Sequence, residues 1–192
     1  MGWVDLETKF KPSVVNLSSS LPFGKTKDFG PYVCLHMKVR GFDYRHLETI
    51  TPAFLDCIRE LSKKFKIVLL GEREIGMNKE YIIHGNSSIY SLYPIISASG
   101  IEIIGLTVPE MGLTTPSLES FRIDCKYMAG AVTNINIGIG GNTIISSSLG
   151  KSISLQRNEE FARELRNCWS KIFPNILTDN VNEFFDIIRN IK

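Results

Sequence analysis

The sequence predicts a single α/β domain built on a doubly wound parallel sheet with helices on both faces. Segments with the period of a strand alternate along the chain with segments that have the period of a helix, an order typical of βα units. Ile67–Leu70 is an unbroken apolar run, as expected for a strand covered on both faces of a parallel sheet. The chain has 192 residues, which suits one domain or one of two similar lobes.

The first third of the chain predicts a lead-in, a strand and a helix. Residues 1–30 are rich in Ser, Gly and Pro without a sustained period, so we interpret them as a linker and place the domain at 31–192. Tyr32–Lys38 alternates apolar residues, which predicts a strand. Thr51 and Pro52 have the residue types of a helix N-cap and first turn. Apolar residues recur around and after them at helical spacing: Ile50, Phe54, Ile58, Leu61 and Phe65.

The middle of the chain has weaker patterns. They predict a short strand at Ile82–Ile83, a helix at Ser87–Ser97 and another strand at Ile101–Leu106. Thr115 and Pro116 again have the residue types that begin a helix. The apolar stripe of that helix is Leu118, Phe121, Cys125 and Met128.

The last third of the chain predicts two strands and three helices. Isoleucines alternate with polar residues from Asn134 to Ile139, which indicates a strand. A glycine turn, a short helix over Asn142–Leu149 and a strand over Ile153–Leu155 follow. Asn158 and Asn180 have the residue type of N-caps for two final helices. The whole order predicts a Rossmann-like sheet in a single lobe.

Composition and charge exclude several classes of function. The formal net charge of +2 does not indicate nucleic-acid binding. The most apolar long region, Ile89–Val108, is interrupted by polar residues, Pro and Gly, so we predict no membrane span. No cysteine belongs to a CxxC pair, which argues against a zinc knuckle. We expect buried, reduced thiols and a cytoplasmic location from the four cysteines, Cys34, Cys57, Cys125 and Cys168.

The glycine turn is the strongest candidate for a ligand site. In doubly wound sheets, ligands bind beyond the carboxyl ends of the strands. Gly140 and Gly141 lie between a predicted strand and a predicted helix, where glycines let a phosphate approach the backbone and the helix start offers free N–H groups. Asn142 or Thr143 can add a side-chain hydrogen bond. The alternative is a tight turn that only caps the helix.

Two other loops follow predicted strands. Lys38 and Arg40 can grip a diphosphate, and strand alternation puts His36 on the same side as Lys38. Gly71 and Glu72 follow the second strand, where a glutamate can accept hydrogen bonds from a ribose. The alternative in both loops is solvated charge.

Three motifs that would indicate other chemistries lack residues that they require. Thr143 stands where the last glycine of GxGxxG belongs, and the sequence SSLPFGKT over Ser19–Thr26 lacks the first glycine of a Walker A loop. The serine run Ser146–Ser148 has no G-x-S-x-G elbow, which argues against a hydrolase.

Three stretches, YVCLHMKVRG, FKIVLLGERE and NINIGIGGNTIISSSLGKSISLQ, resemble the C-terminal, donor-binding lobe of GT-B glycosyltransferases of the heptosyltransferase-like group. The resemblance covers roughly residues 31–173. It implies a strand-end cation at the donor phosphate, an acid at the ribose and a glycine loop that cradles the diphosphate. Heptosyltransferases usually have Asp-Ser/Thr-Gly and a nearby His where this chain has Gly140-Gly141-Asn142-Thr143, so the donor sugar stays open.

The resemblance implies transfer of a sugar from a nucleotide-diphosphate sugar to a sugar or glycan acceptor, without cofactor or metal. The catalytic base of such enzymes commonly lies on an N-terminal lobe, so we expect this lobe to be incomplete alone. Glu110 is the best internal candidate for a base. The alternatives are a non-catalytic nucleotide or nucleotide-sugar binding module, or half of a nucleotide-sugar epimerase.

Overall fold

The described residues of the computed structural model include six strands and five helices. The strands are β1 (Tyr32–Met37), β2 (Lys66–Leu70), β3 (Ile103–Gly105), β4 (Asn134–Ile137), β5 (Ser152–Leu155) and β6 (Ile176–Thr178). The helices are α1 (Pro52–Ser62), α2 (Leu118–Gly130), α3 (Gly141–Ser148), α4 (Glu159–Trp169) and α5 (Val181–Arg189). The structure describes residues 30–37, 48–70, 96, 98–105, 118–138, 141–149, 151–169 and 176–192.

The six strands form one parallel sheet in the order β3-β2-β1-β4-β5-β6. This order confirms the predicted doubly wound, Rossmann-like α/β fold. The chain moves outward from β1 through β2 to β3 and then returns to the other side of β1 as β4. Leu35 at the centre of the sheet therefore pairs with Leu69 on one side and with Ile135 on the other.

One face of the sheet packs against α1 and α5, and we call it the α1/α5 face. The aromatic rings of Phe54 on α1 and Phe185 on α5 lie 6.0 Å apart. Lys64, just after α1, donates from Nζ to the carbonyl oxygen of Ile191 at 3.3 Å. Alternate residues of four strands fill the core below them: Val33, Leu35, Ile67, Leu69, Ile135, Ile137, Ile153 and Leu155.

The opposite face packs against α2 and α3, and we call it the α2/α3 face. Tyr32 and Cys34 of β1 lie on this face and contact the buried Cys125 and Met128 of α2 as parts of one apolar cluster. Lys151 donates from Nζ to the carbonyl oxygens of Ala129 and Ala131. Its positive charge is favourable there, because the carboxyl end of α2 is the negative end of the helix dipole.

Three predicted helix caps are confirmed, whereas the helix start predicted at Thr115 and Pro116 lies outside the described residues. The Thr51 hydroxyl accepts from the Phe54 N–H at 3.3 Å. The Asn158 side chain accepts from the Phe161 N–H at 3.0 Å. Asn180 accepts from two backbone N–H groups at the start of α5. Each cap satisfies donors that have no partner within their own helix.

Several elements differ from the predictions, and β4 ends at Ile137 because Gly138 turns the chain before the predicted end at Ile139. The sequence did not predict β6, which has only three residues and too few positions to show a period. The strand predicted at Ile101–Leu106 is observed as Ile103–Gly105. The predicted strand at Ile82–Ile83 and most of the predicted helix at Ser87–Ser97 lie outside the described residues, as does the predicted linker except Gly30.

Three of the predicted buried thiols are confirmed in the described part of the chain, at Cys34, Cys57 and Cys125. Burial raises the pKa of Cys34 well above its ordinary range and raises the pKa of Cys125 to about 11, with the charge of Asp124 adding to both. Across the described residues, no helix combines the length and the apolar character needed to cross a membrane.

Candidate functional site

The strand order reverses between β1 and β4, which makes their carboxyl ends the topological switch point of the sheet. His36 pairs in register with Asn136, and Met37 pairs with Ile137. Leu70, the last residue of β2, pairs with His36 from the other side. The three loops predicted as ligand sites therefore follow three neighbouring strands. Ligands of open α/β sheets bind in the crevice at such a switch point.

The turn after β4 requires a glycine. Gly138 is buried and has a φ of 81°, a left-handed conformation that disfavours residues with a Cβ. Its N–H donates to the carbonyl oxygen of Leu155 at 2.9 Å, which holds the turn on the end of β5. α3 begins at Gly141, directly beyond the turn.

The start of α3 is the feature suited to an anion. Gly141 and Asn142 form the beginning of this helix. The first N–H groups of an α-helix have no partner within the helix, and the helix dipole makes this end positive. Phosphate groups bind at such ends. The helix of the predicted phosphate cradle is therefore present after β4, while Gly140 lies outside the described residues.

Thr143 acts within the turn itself. Its side chain is buried, and its hydroxyl donates to the carbonyl oxygen of Gly138 at 3.3 Å. This hydrogen bond ties the first turn of α3 to the end of β4, so the glycine turn and the helix start form one unit. Ligand contact by the Thr143 hydroxyl stays a prediction.

His36 lies at the carboxyl end of β1, half-buried on the α2/α3 face with Nδ1 turned into the protein. The structure thus brings His36 next to the strand that carries the glycine turn. The other residues predicted for the site lie outside the described residues: Lys38, Arg40, Gly71, Glu72, Glu110 and Gly140.

A buried polar cluster lies between α3 and the sheet, and sequence reasoning missed it. We call it the polar seat, and its members are Asn136, Ser146, Ser147, Ser152 and Ser154. Asn136 donates from Nδ2 toward the hydroxyls of Ser146, Ser152 and Ser154 at 3.2–3.3 Å. The Ser147 hydroxyl donates to Ser152 at 3.2 Å. The available signal was the alternation of polar residues in β4 and β5, beside a serine run in α3.

The described residues contain no group of three or more His, Cys, Asp or Glu side chains arranged to hold a metal ion. Comparisons of the chain with protein-family models, with curated proteins and with solved structures give no match.

Proposed function

We propose that this chain binds the diphosphate of a nucleotide sugar at the switch point and is the donor-binding lobe of a GT-B-type glycosyltransferase. One observation carries the proposal: Gly138 follows β4 where that strand pairs with the carboxyl end of β1, and Thr143 ties the first turn of α3 to Gly138. The strand order supports a nucleotide because sheets with this order bind nucleotides at this crevice. The resemblance in three stretches of sequence supports the sugar donor.

In this proposal, two elements share the diphosphate. The N–H groups at the start of α3 bind one phosphate, since they are free donors at the positive end of the helix. Lys38 and Arg40 follow β1 directly in the sequence and supply the cations. Both elements stabilise the negative charge that grows on the departing diphosphate, which is the main catalytic task of such a lobe.

The acceptor and its base belong to another lobe in this proposal. A general base needs to reach the acceptor hydroxyl within hydrogen-bond distance. His36 is the titratable side chain that the described residues place at the switch point, and its Nδ1 is turned into the protein. We therefore expect no glycosyl transfer by the chain alone, and Glu110→Gln tests the internal alternative. Robust donor turnover that Glu110→Gln abolishes would contradict the incomplete-lobe proposal.

The binding proposal is tested by calorimetry and thermal shift with uridine, guanosine and adenosine diphosphates and their sugar conjugates. The matching nucleosides are the control, because they lack the phosphates that the glycine turn would bind. A ligand at one hundred times its dissociation constant adds about 2.7 kcal/mol to stability. If no nucleoside diphosphate or nucleotide sugar raises the melting temperature at millimolar concentration, the proposed function is wrong for this chain.

Gly141→Val tests whether the start of α3 is the phosphate site. Gly141 is the first residue of α3, so its backbone lies in the helical region that residues with a Cβ also adopt. We expect a folded protein whose affinity for nucleoside diphosphates falls at least tenfold, since the side chain blocks close phosphate approach. Circular dichroism and the melting temperature verify folding. Unchanged affinity in the folded variant would remove the glycine turn from the site.

A further inference from the structure

Helix α3 packs on the sheet through a cluster of buried polar side chains as well as through apolar contacts such as Ile145. Ser146 and Ser147 of α3 are completely buried or nearly so, at 0% and 1% exposure. The sheet residues of the polar seat are equally inaccessible. Elsewhere on the α2/α3 face, buried apolar residues such as Val68 and Met128 supply the packing. Because the hydrophobic effect contributes less where both surfaces are polar, the attachment of α3 at the polar seat depends on side-chain hydrogen bonds.

Asn136 is at the centre of these hydrogen bonds. Its amide nitrogen lies within 3.2–3.3 Å of one serine on α3, Ser146, and of two serines on β5, Ser152 and Ser154. An amide carries two hydrogens, so the three hydroxyls share them. The same residue stands two positions before Gly138 and pairs with His36 across the switch point. Asn136 therefore links the sheet to α3 beside the glycine turn.

We propose that Asn136 is a positioning residue that sets how α3 and the glycine turn stand over the end of β1. Thr143 ties the helix start to Gly138, so a shift of α3 would strain the contact between the helix start and the end of β4. The residue acts through α3 and does not touch the ligand. The effect of Asn136 on ligand binding rests on the proposed function. Its effect on α3 does not, because hydrogen exchange measures α3 in the protein without ligand.

The Asn136→Leu variant tests the proposal because leucine has nearly the shape of asparagine and makes no hydrogen bond. Asn136 Oδ1 is buried without a hydrogen-bond partner in the described structure, so the substitution also removes an unsatisfied acceptor. We expect a small effect on the melting temperature but about tenfold faster hydrogen exchange of the α3 amides. Exchange of the β1 and β2 amides should stay at wild-type rates.

Asn134→Leu is the matched control. Asn134 is the same residue type on the same face of β4, is equally buried and also has an Oδ1 without a hydrogen-bond partner in the described structure. Its Nδ2 donates to the carbonyl oxygens of Met128 on α2 and of Lys151 just after α3, and not to a side chain of the polar seat. We expect this variant to accelerate the exchange of α3 much less than Asn136→Leu does. Equal acceleration of α3 in both variants, or none in Asn136→Leu, would overturn the proposal.

Asn136→Asp provides a rescue with a pH signature. A protonated carboxyl has nearly the shape of the amide and one O–H donor, whereas the carboxylate has none. Burial disfavours the carboxylate and raises the pKa of this carboxyl above its ordinary value, so we expect better protection of the α3 amides at pH 5 than at pH 8. If the carboxyl titrates between these pH values by NMR and the protection of α3 does not change, the proposal is contradicted.

The ligand measurement is kept separate. If the wild type binds uridine diphosphate or another member of the nucleotide series, Asn136→Leu should weaken that binding about tenfold while Asn134→Leu does not. If the wild type binds none, the proposed function fails, and hydrogen exchange in the free protein still decides the role of Asn136. Unchanged affinity in Asn136→Leu despite faster exchange would restrict the residue to stabilising α3 and overturn its positioning role.

Discussion

The Tyr32 side chain ties the first strand to the end of α2. Its hydroxyl donates to the carbonyl oxygen of Tyr127 at 2.9 Å, and the two rings meet edge to face with centroids 6.0 Å apart. Burial raises the pKa of Tyr32 far above its ordinary value, with smaller contributions from Cys34 and Tyr127. Gly130, the last residue of α2, leaves room for this hydroxyl, because a Cβ there would overlap it.

Gly130→Ala should therefore destabilise the protein by about 1–3 kcal/mol, although alanine is ordinarily the better helix residue. The Tyr32 hydroxyl causes the overlap, so Tyr32→Phe should relieve it. We expect the alanine substitution to cost much less in the Tyr32→Phe background. Urea unfolding of the four proteins in a double-mutant cycle measures the difference. Additive free energies would show that the overlap is absent.

At the scale of the element, the start of helix α5 is fixed by a side-chain cap. The Asn180 side chain accepts from the Asn182 N–H at 2.9 Å and from the Glu183 N–H at 3.2 Å. The Thr178 hydroxyl accepts from the Asn180 N–H at 3.0 Å and donates to the Glu183 carboxylate. The end of β6 and the first turn of α5 are thus joined through three side chains.

Asn180→Ala should cost about 1 kcal/mol of unfolding free energy, because it leaves two helix N–H donors without their acceptor. Asn182→Ala is the control, since Asn182 is exposed in the same turn and gives only its backbone N–H to the cap. We expect the control to stay within about 0.5 kcal/mol of wild type. Denaturant midpoints at constant slope measure both effects. Equal losses in the two variants would show that the cap contributes nothing specific.

The elements with strong local signals were predictable from the sequence. Thr51-Pro52 and the stripe through Phe54, Ile58 and Leu61 predicted α1, and the structure confirms it. The same holds for the helix capped by Asn180. The strand β6 has no comparable signal, because its place comes from pairing with β5 and not from its own three residues. Short strands depend on tertiary context more than on local pattern.

At the scale of the whole molecule, the sequence predicted that the candidate site lies in loops after three strands. It did not predict which of these strands are neighbours in the sheet. Which strands are neighbours depends on the reversal of strand order between β1 and β4, which the local pattern does not contain. The polar seat was unpredictable for the same reason. Asn136 and Ser154 meet only because β4 and β5 pair in one register and α3 covers them.

The thiols buried on the two faces of the sheet predict that the free energy of unfolding falls at alkaline pH. Burial, as the largest cause, raises the pKa of Cys34, Cys57 and Cys125 in the folded protein, so these thiols keep their protons when unfolded thiols release them. Their stabilising contribution is complete below the unfolded thiol pKa and is lost as the pH rises through the folded values. We expect the free energy of unfolding to fall between about pH 9 and pH 11.

Cys34→Ala isolates one thiol. The variant should be less stable at pH 7 because of the cavity, but its stability should fall less steeply in alkali. One thiol that stays protonated in the folded state contributes at most about 1.4 kcal/mol per pH unit. Urea unfolding under reducing conditions at pH 7, 9, 10 and 10.5 measures the slopes. Parallel curves for the variant and the wild type would exclude Cys34 as a source.

The packing of α5 against α1 has a consequence for synthesis of the chain. Phe54 and Ile58 are covered by Phe184 and Phe185, which the ribosome adds much later. At roughly 5–20 residues per second, the apolar face of α1 waits on the order of ten seconds for its cover. During that interval the apolar face of α1 lacks its native partner α5 and is exposed to nonspecific hydrophobic contacts. We therefore expect the nascent chain to bind chaperones during synthesis, and we expect a chain truncated before α5 to aggregate.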